Sequence, residues 1–554
     1  MRAGIAAGVV GSVPHDPPAG DPVATAAARV AALRAVLQAL QAEPVELVET
    51  HLSWVLLSTD HAYKLKKPLQ LPFVDFSTLA LRMRCCREEL RLNRRLAPGL
   101  YLGVVEVRDG AAGPAFGGDG PVCDVAVKMR RFPADALWSA RAAAGRITPD
   151  DVDRLALRLA AFHRRCAVAA IGSGHGSAAV HERVTQRLLD GLDACAGTHA
   201  APGVDWPALR GWMRARPAAL APVFDARRCD GRVRECHGDL HLANLLALQD
   251  GEITAFDAVE FDPELRWIDV LNDAAFVVMD LFAHRLDALA ARFLNAYLEA
   301  TGDYDGLPAL RFYLTSRALV RAQVAELAAA QGHLATGGRG SAAYLALAAR
   351  LASSSDPRLA ITHGLPGSGK TVVAQRMLEL VGAVRVRSDV ERKRMFGLGA
   401  LQSSRGRVEG GIYDAASTAR TYARLHEVAR TVLDAGWPVI VDAAFLRVAE
   451  RAQFAALAEA RHVPFTIFDC HAPLATLAQR LAQRAAQGGD ASEADAAVLA
   501  TLREVAQPLT ASERAAAIEV NAQAPVPPVA LARGWLAAPA CAPNRSDHAD
   551  AAAC

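Results

Sequence analysis

Glu235-Cys236-His237-Gly238-Asp239-Leu240-His241-Leu242-Ala243-Asn244 is the stretch on which the reading of this chain turns. An apolar run follows it, then Ile253-Thr254-Ala255-Phe256-Asp257, then Trp267-Ile268-Asp269 and Asp273. Phosphoryl transfer to a hydroxyl needs such a set. One carboxylate orients the attacking hydroxyl and accepts its proton; an amide oxygen and a second carboxylate hold the Mg²⁺ ions that bridge nucleotide phosphates. The pattern assigns Asp239 as base, with Asn244 and Asp257 on the metal. A polar loop closing a hairpin would account for a lone Asp-x4-Asn. It would not account for the His-Gly before it, the strand after it and the closing Phe-Asp in that order.

His237-Gly238-Asp239-Leu240-His241-x-x-Asn244 followed by Phe256-Asp257 resembles the aminoglycoside phosphotransferase and choline kinase group, from about Val45 to about Ala330. The resemblance implies a protein-kinase-like bilobal fold: a small N-lobe, a larger helical C-lobe, and ATP between them. It also implies that Trp267-Ile268-Asp269 supplies the aspartate that braces the catalytic loop. Ala258 stands where protein kinases have the Gly of Asp-Phe-Gly, so an activation-loop switch of that kind is not implied.

A kinase N-lobe also needs a strand lysine on the phosphates and a helix glutamate that holds it. Ser53 to Lys66 alternates like a hairpin turning at Thr59-Asp60-His61, and Thr78 to Leu96 reads as a helix containing Glu88 and Glu89. Val125-Ala126-Val127-Lys128 is the nearer match to the kinase Val-Ala-Ile-Lys tetrapeptide, but the helix after it, Pro149 to Cys166, has no glutamate. The assignment therefore favours Lys64 with Glu88, leaves Lys66 open because alternation puts it on the same strand face, and places Lys128 on a later strand. No Gly-x-Gly-x-x-Gly precedes the strand. Gly110 to Gly120 reads as a loop. Glu260 and Asp262 add carboxylates beside the metal set.

A second site lies downstream. The short strand Leu359 to His363 runs into Gly364-Leu365-Pro366-Gly367-Ser368-Gly369-Lys370-Thr371, which opens a helix. This Gly-x4-Gly-Lys-Thr loop lets backbone N–H groups wrap phosphate oxygens, with Lys370 on the β- and γ-phosphates and Thr371 on Mg²⁺. Further strands at Val384 to Arg387, Pro438 to Val441, Pro464 to Asp469 and Ala517 to Val520 alternate with helices. They predict a five-stranded parallel sheet covered on both faces. Asp442 ends an apolar strand as a Walker-B-type metal carboxylate. Asp389 can orient a substrate hydroxyl, or alternatively cap its helix, and Arg392 can hold an anionic group. Arg480 and Arg484, one turn apart, are read as lid arginines before Gln487-Gly488-Gly489-Asp490. This half resembles small-molecule and toxin-type P-loop kinases: gluconate kinase, chloramphenicol phosphotransferase, zeta toxin and the polynucleotide 5′-hydroxyl kinase domain. The order of the two halves is similar to a bacterial bifunctional family of predicted kinases whose C-terminal half is often labelled an AAA family ATPase.

Composition bounds the rest. The 554 residues suggest about two to four domains, and 52% hydrophobic against 22% charged residues allows large cores. The expected organisation is a flexible tail over 1–20, a phosphotransferase-like domain over 21–352, a P-loop kinase domain over 353–538 and a second tail over 539–554. The boundary near Ser353 predicts two fragments that fold apart. Net charge is +2, with 61 basic and 59 acidic residues, which favours neither nucleic acid nor a membrane surface. Ten cysteines without Cys-x-x-Cys spacing point to free thiols in a reducing cytoplasm and not to zinc. No run reaches the roughly 20 apolar residues of a membrane span. The expectation is an α/β and α+β two-domain enzyme using ATP and Mg²⁺ on hydroxylated small molecules. The competing readings are an ATP-binding regulatory protein with one silent half, and a polynucleotide 5′-hydroxyl kinase, against which the near-neutral charge counts.

Overall fold

The computed structural model describes residues 21–71, 74–199, 201–248, 251–330, 339–353, 355–404, 412–487, 491–521 and 527–539. The expected tails, the Gly337-Gly338 stretch and the Gly488 to Asp490 loop lie outside them, apart from Pro539. The chain divides into two compact units, Met1–Pro133 with Asp257–Pro263, and Ala134–Phe256 with Glu264–Cys554.

In the first unit, helix α1 (Pro22–Ala39) starts at Asp21, whose carboxylate caps Val23 N–H, with proline at the first turn. It buries Ala26, Val30 and Leu33 against Trp54, Leu56, Leu65, Val107 and Ala126. Those residues belong to an antiparallel sheet built from β1 (Glu46–Glu49), β2 (Ser53–Leu57), β3 (His61–Lys66), β4 (Tyr101–Gly110), β5 (Gly113–Phe116) and β6 (Val122–Arg130). The strand order is β1-β2-β3-β6-β4-β5. The glycine-rich stretch read as a loop contains β5, because Gly113, at φ 98°, lets the chain turn back and pair Val107 with Phe116. Helix α2 (Leu79–Asn93), capped by Thr78, buries Arg82, Cys85, Cys86, Glu89, Leu92 and Asn93 along one stripe.

In the second unit, helix α3 (Pro149–Arg165) opens with a Thr148/Asp151 capping box. Two small antiparallel ribbons frame the loop quoted above. One pairs β7 (Val233–Glu235) with β10 (Trp267–Asp269); the other pairs β8 (Leu245–Ala247) with β9 (Ile253–Ala255). Helices α4 (Val270–Ala283), α5 (Asp287–Thr301), α6 (Leu307–Ala330) and α7 (Ser341–Ser353) follow.

The same unit continues into a parallel sheet of β11 (Leu359–His363), β12 (Val384–Arg387), β13 (Val439–Asp442), β14 (Phe465–His471) and β15 (Ala517–Asn521) in the order β12-β13-β11-β14-β15. This is the expected doubly covered sheet. The central strand β13 is an apolar run up to Asp442 because both faces are buried; Val439, Ile440 and Val441 are fully enclosed. The covering helices include α8 (Lys370–Val381), α9 (Ser388–Met395), α10 (Ala415–Asp434), α11 (Leu474–Gln487) and α12 (Pro528–Ala537).

Packing does not part at Ser353. Ala291 of α5 enters the core formed by Ala360, Met377, Phe468 and Trp535. Asn295 of α5 donates to the Ala383 carbonyl (2.9 Å) and accepts from the Arg385 N–H (2.6 Å). β12 is an edge strand, and that side-chain amide satisfies backbone groups the sheet leaves open. Arg292 links Asp153 of α3 to Glu379 of α8. Among the described residues no helix is long and apolar enough to cross a membrane, and the cysteines form no disulfide.

Candidate active sites

In the first unit the alternation of β3 aims Lys64 and Lys66 at one carboxylate. Lys64 Nζ lies 3.0 Å from Glu89 Oε1, and Lys66 Nζ lies 2.7 Å from Glu89 Oε2. Lys64 also pairs with Asp257, and Lys66 with Glu260. The expected partner Glu88 is not in this cluster. It forks onto Arg91 one turn along α2 (2.7 Å). One helical residue turns a side chain by about 100°, so Glu89 shares the buried stripe of Cys85, Cys86 and Leu92 while Glu88 shares the face of Arg91. That phase was readable from the apolar positions of α2. Burial works against the Glu89 carboxylate, but Lys64 and Lys66 outweigh it and hold its pKa below the ordinary value. Burial pushes Glu260 up, with Glu89 and Asp257 adding to the rise. Lys128 is elsewhere, with its ammonium 5.7 Å from the centre of the Tyr63 ring.

Asp257 has φ 64°, a left-handed conformation that aspartate tolerates better than most residues. Its N–H donates to the Tyr101 hydroxyl (3.1 Å), and the next N–H, of Ala258, donates to Asn93 Oδ1 (2.9 Å). Two successive backbone donors are thus anchored by β4 and α2.

In the second unit the loop between β7 and β8 is held by buried acids. Asp273 accepts from the N–H groups of His237 (3.0 Å) and Gly238 (2.8 Å) and pairs with His163 (3.0 Å). Burial opposes its ionisation, yet those bonds hold its pKa down to about 2. The bracing aspartate is therefore Asp273, not the Asp269 that the resemblance implied. Asp269 caps α4 at Leu271 and pairs with buried Arg227. Asp280 accepts from Leu242 N–H (2.8 Å), and Arg317 donates to the Gly238 carbonyl (3.2 Å). His237 Nε2 lies 3.0 Å from the Phe256 carbonyl while its Nδ1 accepts from Asp239 N–H, which selects the Nε2–H tautomer.

Held this way, Asp239 and Asn244 meet. The Asn244 amide nitrogen donates to the Asp239 carbonyl (3.0 Å) and to its Oδ2 (3.1 Å), which leaves the amide oxygen as the atom that can face a metal. Burial disfavours the Asp239 carboxylate, but His241, Arg321 and His237 outweigh it and keep it ionised well below the usual carboxylate range.

The P-loop site opens onto a cavity of about 1240 Å³. Pro366 to Thr371, Asp389, Asp442, Arg480 and Arg484 all line it. Gly364 and Leu365 sit behind, where their carbonyls each accept from Lys370 Nζ at 2.9 Å. Gly364 must be glycine: at φ 135° a Cβ would lie 2.1 Å from the Cys470 carbonyl oxygen. Burial lowers the Lys370 pKa, and Asp442 partly offsets this. Two buried oxygens here, Ser368 Oγ and Asp442 Oδ2, have no hydrogen-bond partner among the described residues. Native proteins rarely leave such atoms unpaired unless something else binds there. A loop of backbone donors, an ammonium and a carboxylate oxygen that accepts no hydrogen bond fit a nucleotide phosphate with Mg²⁺.

Arg480 donates to the Gly367 carbonyl (3.1 Å) and Arg484 to the Ala494 carbonyl (3.1 Å), so both rest on loop backbone. Asp389 is inside the first turn of α9, whose cap position is Arg387, so it is not the helix cap. Arg392 donates to the Ile412 carbonyl and stacks on Tyr413.

Residues 76–313 match the family model described as the phosphotransferase enzyme family, and residues 359–509 match one described as an AAA domain. The uncharacterized protein Rv2004c of Mycobacterium tuberculosis (strain ATCC 25618 / H37Rv) is 32% identical over 461 residues, covering 82% of this chain and 89% of the relative. Among solved structures, a choline/ethanolamine kinase family protein from Mesorhizobium loti is similar at 13% identity and TM-score 0.34, covering 59% of this chain and 95% of its own. A gluconokinase from Sinorhizobium meliloti is similar at 18% identity and TM-score 0.23, covering 33% and 92%. The chain belongs to the family of that mycobacterial protein, here with a phosphotransferase-enzyme-family domain followed by an AAA domain.

Proposed function

We propose that this protein is an ATP-dependent phosphotransferase with two nucleotide sites, each moving the γ-phosphate to a hydroxyl of a small molecule. The observation that carries the reading is the P-loop cavity, where Lys370, Asp389 and Asp442, one of whose oxygens accepts no hydrogen bond, line one space. Lys370 exchanges its two loop carbonyls for phosphate oxygens. Asp389 orients the acceptor hydroxyl, and Arg480 and Arg484 close over the transferring group. In the N-terminal half, Lys64 holds phosphate and is itself held by Glu89. Asp239, ionised across the neutral range, orients the second acceptor and takes its proton. Asn244 and Asp257 would hold Mg²⁺ in one half, Thr371 and Asp442 in the other. When bound, that ion neutralises charge on the phosphates.

The test is product formation from ATP against a panel of hydroxylated metabolites, aminoglycosides and oligonucleotides. Asp239→Asn and Lys370→Ala are expected to silence different products. Asp239→Asn keeps ATP binding and loses about 10²–10⁴-fold in turnover, whereas Lys370→Ala loses both binding and turnover at its own site. If Lys370→Ala abolished every activity and Asp239→Asn none, the N-terminal half would be a binding module.

A further inference from the structure

Among the described residues, the P-loop half buries the arginines Arg358, Arg385, Arg392 and Arg451. Three of these meet a carboxylate: Arg358 lies 2.9 Å from Asp356, Arg385 3.1 Å from Glu299 and Arg451 2.7 Å from Glu513. Arg392, only 6% exposed, pairs with no carboxylate among the described residues. Its guanidinium is fixed all the same. Nη1 donates to the Ile412 carbonyl (3.0 Å) and to Thr418 Oγ1 (3.2 Å), and Cζ lies 4.9 Å from the centre of the Tyr413 ring. Nε and Nη2 donate to no described atom. That edge of the planar fork, which suits two oxygens of one anion, has no acceptor. Arg392 lines the same cavity as Lys370 and Asp389, together with Tyr413 and Thr418. Asp389 stands three residues earlier on α9, a spacing that puts both side chains on one helix face with Cβ atoms about 5–6 Å apart. A buried charge without a partner is costly, and an anion in the cavity would remove that cost.

On the P-loop reading given above, we propose that the acceptor of this half is a hydroxylated anion. The fork of Arg392 takes two oxygens of its carboxylate or phosphate group while its hydroxyl reaches Asp389. In that reading the nucleotide phosphates take Lys370 and the loop N–H groups, so Arg392, on a different element, is left to the acceptor. Tyr413 covers one face of the guanidinium, and the anion therefore approaches in the plane of the fork. The helix spacing sets the size of the acceptor. A hydroxyl at Asp389 and an oxyanion at Arg392, both met by one helix face, belong to a molecule in which only a few bonds separate the two groups. A neutral polyol would leave the buried cation uncompensated.

The experiment is saturation-transfer NMR on the full chain with Mg²⁺ and AMPPNP saturating, so that the nucleotide sites are occupied. The probes are D-glycerate, glycerol 3-phosphate and glycerol, which share a short hydroxylated skeleton and differ in the anion. One or both anions are expected to bind and glycerol is not; which of them binds distinguishes carboxylate from phosphate. Arg392→Gln is expected to remove that binding. Arg392→Lys, which keeps the charge without the fork, is expected to weaken it about tenfold, the worth of one charge-assisted hydrogen bond, and serves should the glutamine variant not fold. The absence of any anion signal, equal transfer to glycerol, or an anion signal that either Arg392 variant leaves intact would overturn the proposal. AMPPNP titration of Lys370→Ala tells that failure from a failure of the P-loop reading. If this variant keeps every nucleotide-binding component, the P-loop reading falls and this inference with it; if it loses one, the anion result decides this inference alone.

Discussion

At the scale of single residues, Glu88 and Glu89 are adjacent in sequence and opposite in environment. Glu89 is fully buried between two lysines, and Glu88 sits with Arg91 on an accessible face. Removing one member of a buried ion cluster leaves charge uncompensated and costs roughly 3–5 kcal/mol, whereas a surface change stays within about 0.5 kcal/mol. Glu89→Gln is therefore expected to lower the urea midpoint strongly and Glu88→Gln hardly at all; comparable midpoints would contradict the cluster. Lys64→Ala should also weaken ATP use at the N-terminal site more than Lys128→Ala, measured with the P-loop site disabled by Lys370→Ala. The reason is that Lys64 shares its carboxylates with Asp257's neighbourhood, while Lys128 stacks on Tyr63. The sequence left Lys64 and Lys66 unresolved, and the structure explains why: both reach Glu89.

At the scale of elements, the helix Ala178–Asp193 carries His181 into the angle between two other helices. Its ring stacks on Phe224 (4.1 Å) and meets Phe312 edge-on (5.7 Å). Burial lowers its pKa to about 4, so the folded state keeps the ring neutral where the unfolded chain, near 6.5, protonates it. The unfolded state then binds more protons, and stability falls as pH drops from about 6.5 toward 4. His181→Leu is expected to flatten that part of the stability curve in melting experiments between pH 7 and 4; an unaltered slope would mean that other groups set it. Asp273 adds a later, separate loss. Its folded pKa near 2 gives stability present above the ordinary carboxylate value and lost below it, on the order of 2 kcal/mol. Neither effect was legible in the sequence, because a histidine in an amphipathic helix does not reveal which aromatic rings will enclose it.

At the scale of the whole chain, the passage from α7 to β11 near Ser353 is a change of pattern without a break in packing. Asn295 and Ala291 serve the P-loop sheet from the other side of that point. Fragments 1–353 and 354–554, made separately, should therefore differ from what the pattern alone predicts. The second is expected to lose about 2 kcal/mol, which for some 200 residues lowers its melting temperature by roughly 4–8 °C. Co-expression should bring the two back together in one size-exclusion peak. Two fragments that melt like the intact chain and elute apart would show that α5 contributes nothing to the P-loop fold.

By itself the sequence determined which polar groups lie together within short runs. His237 to Asn244 and Gly364 to Thr371 carry their functional groups within one loop each, and a phosphate cradle made of consecutive backbone donors needs nothing from elsewhere. The parallel sheet was legible because short β-branched strands such as Val439 to Val441 alternate with helical stretches. The tertiary structure alone decided the partners. Glu89 meets Lys64 across 25 positions, Asp273 meets His237 across 36, and Asn295 meets Arg385 across 90. Pairs that far apart are selected by how helices pack onto sheets, and a single residue of helical phase suffices to exchange one carboxylate for its neighbour.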